Sequence, residues 1–388
     1  MRRTIACIAL SLSIAVSHSA QGQAKTKTKA PQSAPLSAPL YSISFERKDA
    51  VAGIEASHAI KLPFDCTSDG TVFVDMVPAD AQFHPPVYVP PRLLLTSVSP
   101  SGHANTFPLD QVTAQLFDVS EIDHYVSESS VIFLIRAAKE NKPVKQTYTK
   151  DDGTQGETTR NVADRSLYVV TFDREGQHKK TTEIDAGFTI EHIGVFPSGD
   201  FLVFGYDEKD PSPKLAMLKD DGTLLRFLQI PKGDAPESMF GTKDGSAKGA
   251  AVYIAPTQFL ADAHSIIVVQ NKTVFPLLDV NEGGAITAVR AKLPKGMMID
   301  ALIASDQHLY ALVNPATEGS IYEIAEHDGT VLRRFDRSDG RSASGVACVH
   351  DGKFLSFDHG EGKLVPLVGT AEPAVAAEKQ SRAVPSAN

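Results

Sequence analysis

The stretch VFPSGDFLVF (195–204), followed by KLAMLKDDGTLLRFLQI (214–230), decides the fold of this 388-residue chain. In each segment a short turn containing Gly separates two runs rich in Val, Leu, Ile and Phe, which are residues that favour β-strands. Asp and Gly provide turn residues that tolerate positive φ, and such turns join strands into hairpins. The two segments together therefore predict two successive hairpins, which is four antiparallel strands.

The first of these hairpins recurs six times along the chain. Aligned on the turn residue, the copies are separated by 59, 70, 64, 44 and 45 residues. A period of about 40–50 residues with four strands per repeat is typical of β-propeller blades. The longer early spacings indicate inserted loops, most clearly the polar segment 137–165 inside the second repeat. The six copies are CTSDGTVFV (66–74), YVSESSVIFLI (125–135), VFPSGDFLVF (195–204), FLADAHSIIVV (259–269), IASDQHLYAL (303–312) and CVHDGKFLSF (348–357).

The second hairpin is complete in only five copies. The sixth repeat stops at GKLVPLVGT (362–370), one strand short, whereas an unassigned strand lies in YSISFERKDAVAGIEASHAIKL (41–62). A strand from this N-terminal segment would complete the last blade and leave no open sheet edge. The sequence thus predicts an all-β, six-bladed β-propeller of four-stranded antiparallel blades, the last closed by an N-terminal strand. A pair of β-sandwiches is the alternative.

The turn pattern h-x-x-D-G-x-h-h-h, the second-hairpin pattern h-D-x-x-G-x and the six-fold count resemble the NHL/TolB-like six-bladed propellers of bacterial secreted proteins. The resemblance covers Tyr41 to about Thr370. That superfamily includes lyases, lactonases, oxidoreductases and binding scaffolds, so it implies a fold without selecting a function. The chain has no Trp, which excludes WD40 and kelch repeats.

The chain ends predict export. Residues 1–24 have the pattern of a signal peptide, with Arg2 and Arg3 before a short apolar run and then small residues. That run is shorter than the roughly 20 apolar residues of a membrane-spanning helix. Residues 25–40 are predicted to be a flexible linker, 41–370 the propeller and 371–388 a disordered tail. We expect an exported protein, periplasmic or extracellular, that is monomeric and has no membrane span.

Charge restricts the choice of partner. The chain carries 38 basic and 47 acidic residues, for a net charge of −9. This excess of negative charge disfavours nucleic acid and anionic membrane surfaces. The expected partner is a protein or a small-molecule ligand.

Candidate binding residues lie near the beginning of the predicted inner strands, because propeller ligands bind where these strands and their loops converge. Such residues could form a polar ring, or a metal site of carboxylates and imidazole. The alternative is that they are ordinary solvated residues, since no spacing among them is diagnostic. No catalytic residue, metal or cofactor is predicted. The candidates are Asp65, Glu121, His124, Glu191, His192 and Asp300.

Cys66 and Cys348 occupy equivalent positions in the first and last repeats, which are neighbours in a closed ring. We expect two buried free thiols, because inner strands of adjacent blades should diverge beyond disulfide distance. For the whole chain we expect an exported binding or interaction module. The alternative is a propeller enzyme, a lyase or lactonase-type hydrolase, that uses the candidate residues.

Overall fold

The computed structural model describes residues 38–51, 60–76, 94–150, 152–207, 213–230, 256–262, 264–270, 276–294, 297–305, 308–314, 319–341, 345–358 and 364–374. Within these ranges the chain is almost entirely β-strand, with one short helix, α1 (Leu109–Val112). No helix in this described part is long and apolar enough to cross a membrane. The predicted signal peptide and most of the linker and tail lie outside the described residues.

The strands begin with β1 (Leu40–Arg47) and then form successive antiparallel runs of four, which we call units. The first unit comprises β2 (Ile60–Cys66), β3 (Val72–Met76), β4 (Leu94–Val98) and β5 (Ala104–Thr106). The second unit comprises β6 (Phe117–Val126), β7 (Ser130–Ala138), β10 (Arg165–Asp173) and β11 (His178–Ile184), with the hairpin β8 (Pro143–Thr149) and β9 (Gln155–Asn161) inserted.

The remaining units follow the same plan. The third comprises β12 (Thr189–Val195), β13 (Phe201–Tyr206), β14 (Pro213–Leu218) and β15 (Leu224–Leu228), and the fourth β16 (Pro256–Asp262), β17 (Ser265–Gln270), β18 (Leu277–Asn281) and β19 (Ile286–Val289). The fifth comprises β20 (Met298–Ser305), β21 (His308–Asn314), β22 (Ser320–Ala325) and β23 (Val331–Arg337), and the sixth β24 (Val346–His350), β25 (Lys353–Asp358), β26 (Val365–Pro373) and the N-terminal β1.

The predicted class, an all-β propeller of four-stranded antiparallel blades, is confirmed by these pairings. The predicted division into six separate blades needs correction. Four units are separate four-stranded sheets, whereas the fifth and sixth form one eight-stranded sheet. The cause is β1, which pairs antiparallel with β26 and also parallel with β23. β1 therefore completes the sixth unit and has a paired strand on both of its edges.

The first strands of the units lie next to one another around a closed circuit. Contacts run from β2 to β6, β12, β16, β20 and β24, and from β24 back to β2. Chain order and spatial order therefore agree, and the first unit packs beside the sixth. This arrangement places the beginning and the end of the folded chain in one region.

β1 is held by packing as well as by hydrogen bonds. Ile43 is fully buried in a cluster shared by the fifth and sixth units. The Arg337 guanidinium carbon lies 4.4 Å from the Phe45 ring centroid, and that of Arg333 lies 5.6 Å from the Tyr41 centroid. Both arginines belong to β23, so cation–π contacts support the parallel pairing.

A glycine is required at the turn between β14 and β15. Gly222 has φ +87°, a conformation that L-residues with a side chain rarely adopt. A Cβ added there would meet the Glu183 carbonyl oxygen of the second unit at 2.5 Å. The Asp-Gly pair seen in the sequence therefore sets both the turn and the approach of two neighbouring units.

Two predicted segments fold differently from expectation. The polar insertion in the second unit is not a loop throughout, because residues 143–161 contain the β8–β9 hairpin. Strand β26 continues to Pro373, three residues into the predicted tail, and pairs there with Tyr41. β1 provides the partner that extends the last strand.

The prediction of free thiols is wrong, because Cys66 and Cys348 form a disulfide. Their Cα atoms are 5.4 Å apart, well inside the range that a disulfide spans. The first strands of the first and sixth units converge at this position, contrary to the expected divergence. The bond links residues 282 apart in sequence, so it joins the two ends of the propeller.

Ile43→Ala tests the importance of β1. Removing a fully buried side chain leaves a cavity in the cluster shared by the fifth and sixth units, and should reduce the free energy of unfolding by about 2–5 kcal/mol. Leu40→Ala, on the same strand but 42% exposed, is the matched control and should cost far less. Urea unfolding monitored by circular dichroism measures both. Equal effects would mean that β1 does not close the sheet.

Thiol counting tests the disulfide. Denatured, unreduced protein should show no reaction at Cys66 or Cys348, and both should react after reduction. The free energy of unfolding of the Cys66→Ala/Cys348→Ala variant should be lower by about 2–5 kcal/mol, because without the cross-link the unfolded chain has more conformational entropy. Two reactive thiols before reduction would contradict the bond.

Candidate functional site

β-Bulges in the first strands determine which polar side chains come together. In β6 the register shifts between Glu121 and Asp123, so Ile122 has no partner on β7. Residues three apart normally lie on opposite faces of a strand, but one extra residue brings Glu121 and His124 to the same face. Glu191 and Asp300 occupy the positions where the strand registers of β12 and β20 shift.

Three carboxylates surround the His124 imidazole at the interface of the first and second units. His124 Nε2 lies 3.2 Å from Asp65 Oδ2, while His124 Nδ1 lies 3.3 Å from Glu121 Oε1 and 3.7 Å from Asp75 Oδ2. One ligand atom each from Asp75, Glu121 and His124 all lie within 4.8 Å of one another. We call these four residues the His124 cluster.

The His124 cluster is nearly buried. The exposed fractions are 4% for the Asp75 side chain and 10% for His124. Burial alone would lower the pKa of His124, but Asp75, Asp65 and Glu121 outweigh it and raise that pKa well above its usual value. Burial and the charges of Asp65 and Asp262 raise the pKa of the adjacent Tyr125. The cluster therefore attracts positive charge strongly.

His192 belongs to a different group. Its Nδ1 lies 3.2 Å from Asp123 Oδ2, and the same oxygen accepts the backbone N–H of Ile193 at 3.1 Å. Gln258 Oε1 accepts the Leu302 N–H in the same way, at 3.0 Å. Because Asp123 and Gln258 both follow a bulge and both reach the next unit, this is a recurring link between units. We assign the Asp123–His192 pair to structure.

The sequence candidates thus separate into three outcomes. Asp65, Glu121 and His124 come together, His192 pairs elsewhere, and Glu191 and Asp300 are not part of the His124 cluster; Glu191 is exposed. Sequence reasoning missed Asp75 and Asp123. The signal for Asp75 is one acidic residue inside the buried strand VFVDM (72–76), which is unusual for an apolar run.

Alternate residues from Thr71 to Asp75 connect this cluster to a second polar region. Asp75 contacts His124, and Phe73 packs near Phe107, with their ring centroids 6.0 Å apart. Thr71 lines a cleft of about 300 Å³ at the turn end of the first two units. An aromatic cluster that also contains Phe133 and Phe172 separates the two polar regions. We call the second region the Arg174 cleft.

The walls of the Arg174 cleft are hydrogen-bonding groups fixed by ion pairs. Arg174 Nη2 donates to both carboxylate oxygens of Asp69, at 3.1 and 3.0 Å, and its guanidinium lies 5.7 Å from the Phe73 centroid. Glu128 accepts hydrogen bonds from the N–H and the hydroxyl of Ser68. The lining also includes Thr71, Ser97, Ser99, His103 and Asn105.

Comparison with known proteins finds no matching family model and no match among curated proteins. Among solved structures, the chain is similar to a DUF4623 family protein from Bacteroides eggerthii, with TM-score 0.41, 9% identity and coverage of 85% of this chain and 75% of that chain. It is also similar to the β-propeller domain of the trilobed protease from Pyrococcus furiosus, with TM-score 0.35, 7% identity and coverage of 81% and 96%. Both TM-scores lie below 0.5, so the fold assignment depends on the strand pairing described above.

Asp69→Asn tests the ion pair that forms the cleft wall. Burial alone would raise the pKa of Asp69, but hydrogen bonds from the Thr71 N–H, Thr67 and Arg174 lower it to about 2. Because the folded-state pKa lies below the usual value of 3.8, the carboxylate stabilises the fold above about pH 4 and loses this effect as pH falls toward 2.

The difference in melting temperature between wild type and Asp69→Asn should therefore be largest at neutral pH and shrink as the pH falls from about 4 through 2. Asp164→Asn, at an exposed position, is the control and should match wild type at neutral pH. A wild-type advantage that stays constant from pH 7 to pH 2 would contradict the assignment.

Proposed function

We propose that this chain is an exported β-propeller that acts as a binding module and holds a small, hydroxyl-rich ligand in the Arg174 cleft. The observation that carries the proposal is the lining of that cleft, in which the first unit contributes hydroxyl, amide and imidazole groups and the second unit contributes charged groups. Arg174 pairs with Asp69, and Glu128 and Glu175 leave the lining with more acidic than basic groups, so the cleft disfavours an anion and suits an uncharged ligand whose hydroxyls donate hydrogen bonds.

The cleft size agrees with a small ligand, because about 300 Å³ lies at the lower end of known ligand pockets. Preformed donors and acceptors lower the cost of ordering the site on binding. Export is supported by the N-terminal sequence pattern, and the NHL/TolB-like assignment by the turn motifs. The excess of acidic residues supports a ligand other than nucleic acid.

The enzyme alternative, a lyase or lactonase-type hydrolase, has less support. It would use convergent carboxylates and imidazoles from several units around the channel. Of the six candidates only Asp65, Glu121 and His124 come together, and they come from the first and second units alone. In the described cleft lining, the Ser99 hydroxyl contacts Ser101 and the His103 backbone N–H, whereas a nucleophile would contact an imidazole or carboxylate base.

Saturation-transfer NMR with neutral sugars tests the proposal. Glucose, galactose, maltose and cellobiose are the probes, and at least one should give a saturable signal with the mature chain. His103→Ala and Asn105→Ala should each weaken that binding at least about threefold, the loss of roughly one hydrogen bond.

The matched control is Thr223→Ala, at the corresponding turn of the third unit, which should bind as wild type does. Absence of signal from all four sugars would overturn the choice of ligand class. Binding that His103→Ala and Asn105→Ala leave unchanged would place the ligand elsewhere.

A further inference from the structure

We propose that the His124 cluster is a binding site for a divalent first-row cation such as Mn²⁺ or Zn²⁺, held between the first and second units. Asp75, Glu121 and His124 Nδ1 are the ligands, and Asp65 orients the imidazole. This site is independent of the Arg174 cleft, so either proposal can fail without the other.

The two sides of the imidazole have different surroundings. Asp65 accepts a hydrogen bond from Nε2–H at 3.2 Å, while Nδ1 faces Glu121 at 3.3 Å and Asp75 at 3.7 Å, where a cation would displace the Nδ1 proton. Metal-binding histidines are characteristically oriented by a carboxylate on the opposite ring nitrogen. The Asp65–His124 pair therefore has the form of a ligand with its orienting partner.

The distances fit a common ion. Nδ1 lies 3.3 Å from Glu121 Oε1 and 3.7 Å from Asp75 Oδ2. Two atoms bonded to one ion at about 2.0–2.2 Å lie at most about 4.4 Å apart, and both distances to Nδ1 satisfy this limit. All three ligand atoms lie within 4.8 Å of one another, so a small side-chain adjustment brings them onto one ion. The three ligands come from β3 and from both sides of the bulge in β6, so the backbone, more than flexible side chains, sets their positions.

The composition of the cluster also favours a cation. Three carboxyl groups surround one imidazole in a nearly buried space. Buried like charges are costly without a compensating cation. A divalent ion supplies that compensation, and one imidazole with carboxylates suits Mn²⁺ or Zn²⁺ better than Ca²⁺ or Mg²⁺, which prefer oxygen ligands alone.

The test uses the mature chain prepared without a polyhistidine tag and stripped with a chelator. Isothermal titration with MnCl₂ and with ZnCl₂ should show one site per chain for at least one metal. The same metal at 1 mM should raise the melting temperature by about 3 °C or more, because it binds only the folded state.

Variants locate the site. Glu121→Gln and His124→Gln should each weaken binding at least about tenfold, and Asp65→Asn should weaken it about 10–100-fold through the orientation of the imidazole. His192→Gln is the matched control, because it removes the neighbouring imidazole–carboxylate pair and should leave metal affinity unchanged. If a variant fails to fold, the titration of stripped wild type still decides. Wild type that neither binds nor is stabilised by either metal, or binding retained by His124→Gln, overturns the proposal.

Discussion

The pairing of β1 with both β26 and β23 is the constraint on which the rest of the molecule depends. A circular array of sheets has no partner for its last unit unless the two ends of the chain meet. Here the N-terminal strand completes the sixth unit and bonds to the fifth as well, while the Cys66–Cys348 disulfide joins the first unit to the sixth. The sixth unit is therefore joined to the fifth by the added strand β1, and to the first by a covalent bond between first strands.

Closure of the ring positions the interface between the first and second units. From the inner strands outward this interface contains the His124 cluster, the aromatic cluster around Phe73, and the Arg174–Asp69 pair at the turn end. Strand β3 borders both polar regions, because Phe73 contacts Arg174 and Asp75, two residues further along the strand, contacts His124.

The sequence was sufficient for the fold because hairpin signals are local. Asp-Gly turns between apolar runs predicted the strands, and counting them predicted the orphan strand that closes the last unit. The sequence did not predict that β1 also pairs with β23, because this is a long-range contact that no local turn specifies. The disulfide was missed for a related reason: the approach of β2 to β24 depends on how the whole ring closes.

The site could be predicted only in part. Asp65, Glu121 and His124 were found because they lie on first strands shortly before the turn of the first hairpin, but an alternating strand would have separated Glu121 from His124. A bulge at Ile122 instead brings the two side chains to the same face, and the local sequence does not predict this bulge. Asp75 lies on a second strand, outside the region where ligand residues were sought, although an acidic residue in VFVDM was a visible anomaly.

Hydrogen exchange of β1 tests the central claim, closure of the ring by the N-terminal strand, most directly. Mass spectrometry of a peptide covering residues 38–48 should be compared with one covering 365–373. The account predicts that both exchange only through global unfolding, since each strand is hydrogen-bonded within a continuous sheet. Rapid exchange of 38–48 while 365–373 stays protected would show that the ring is closed without β1, and would contradict the account.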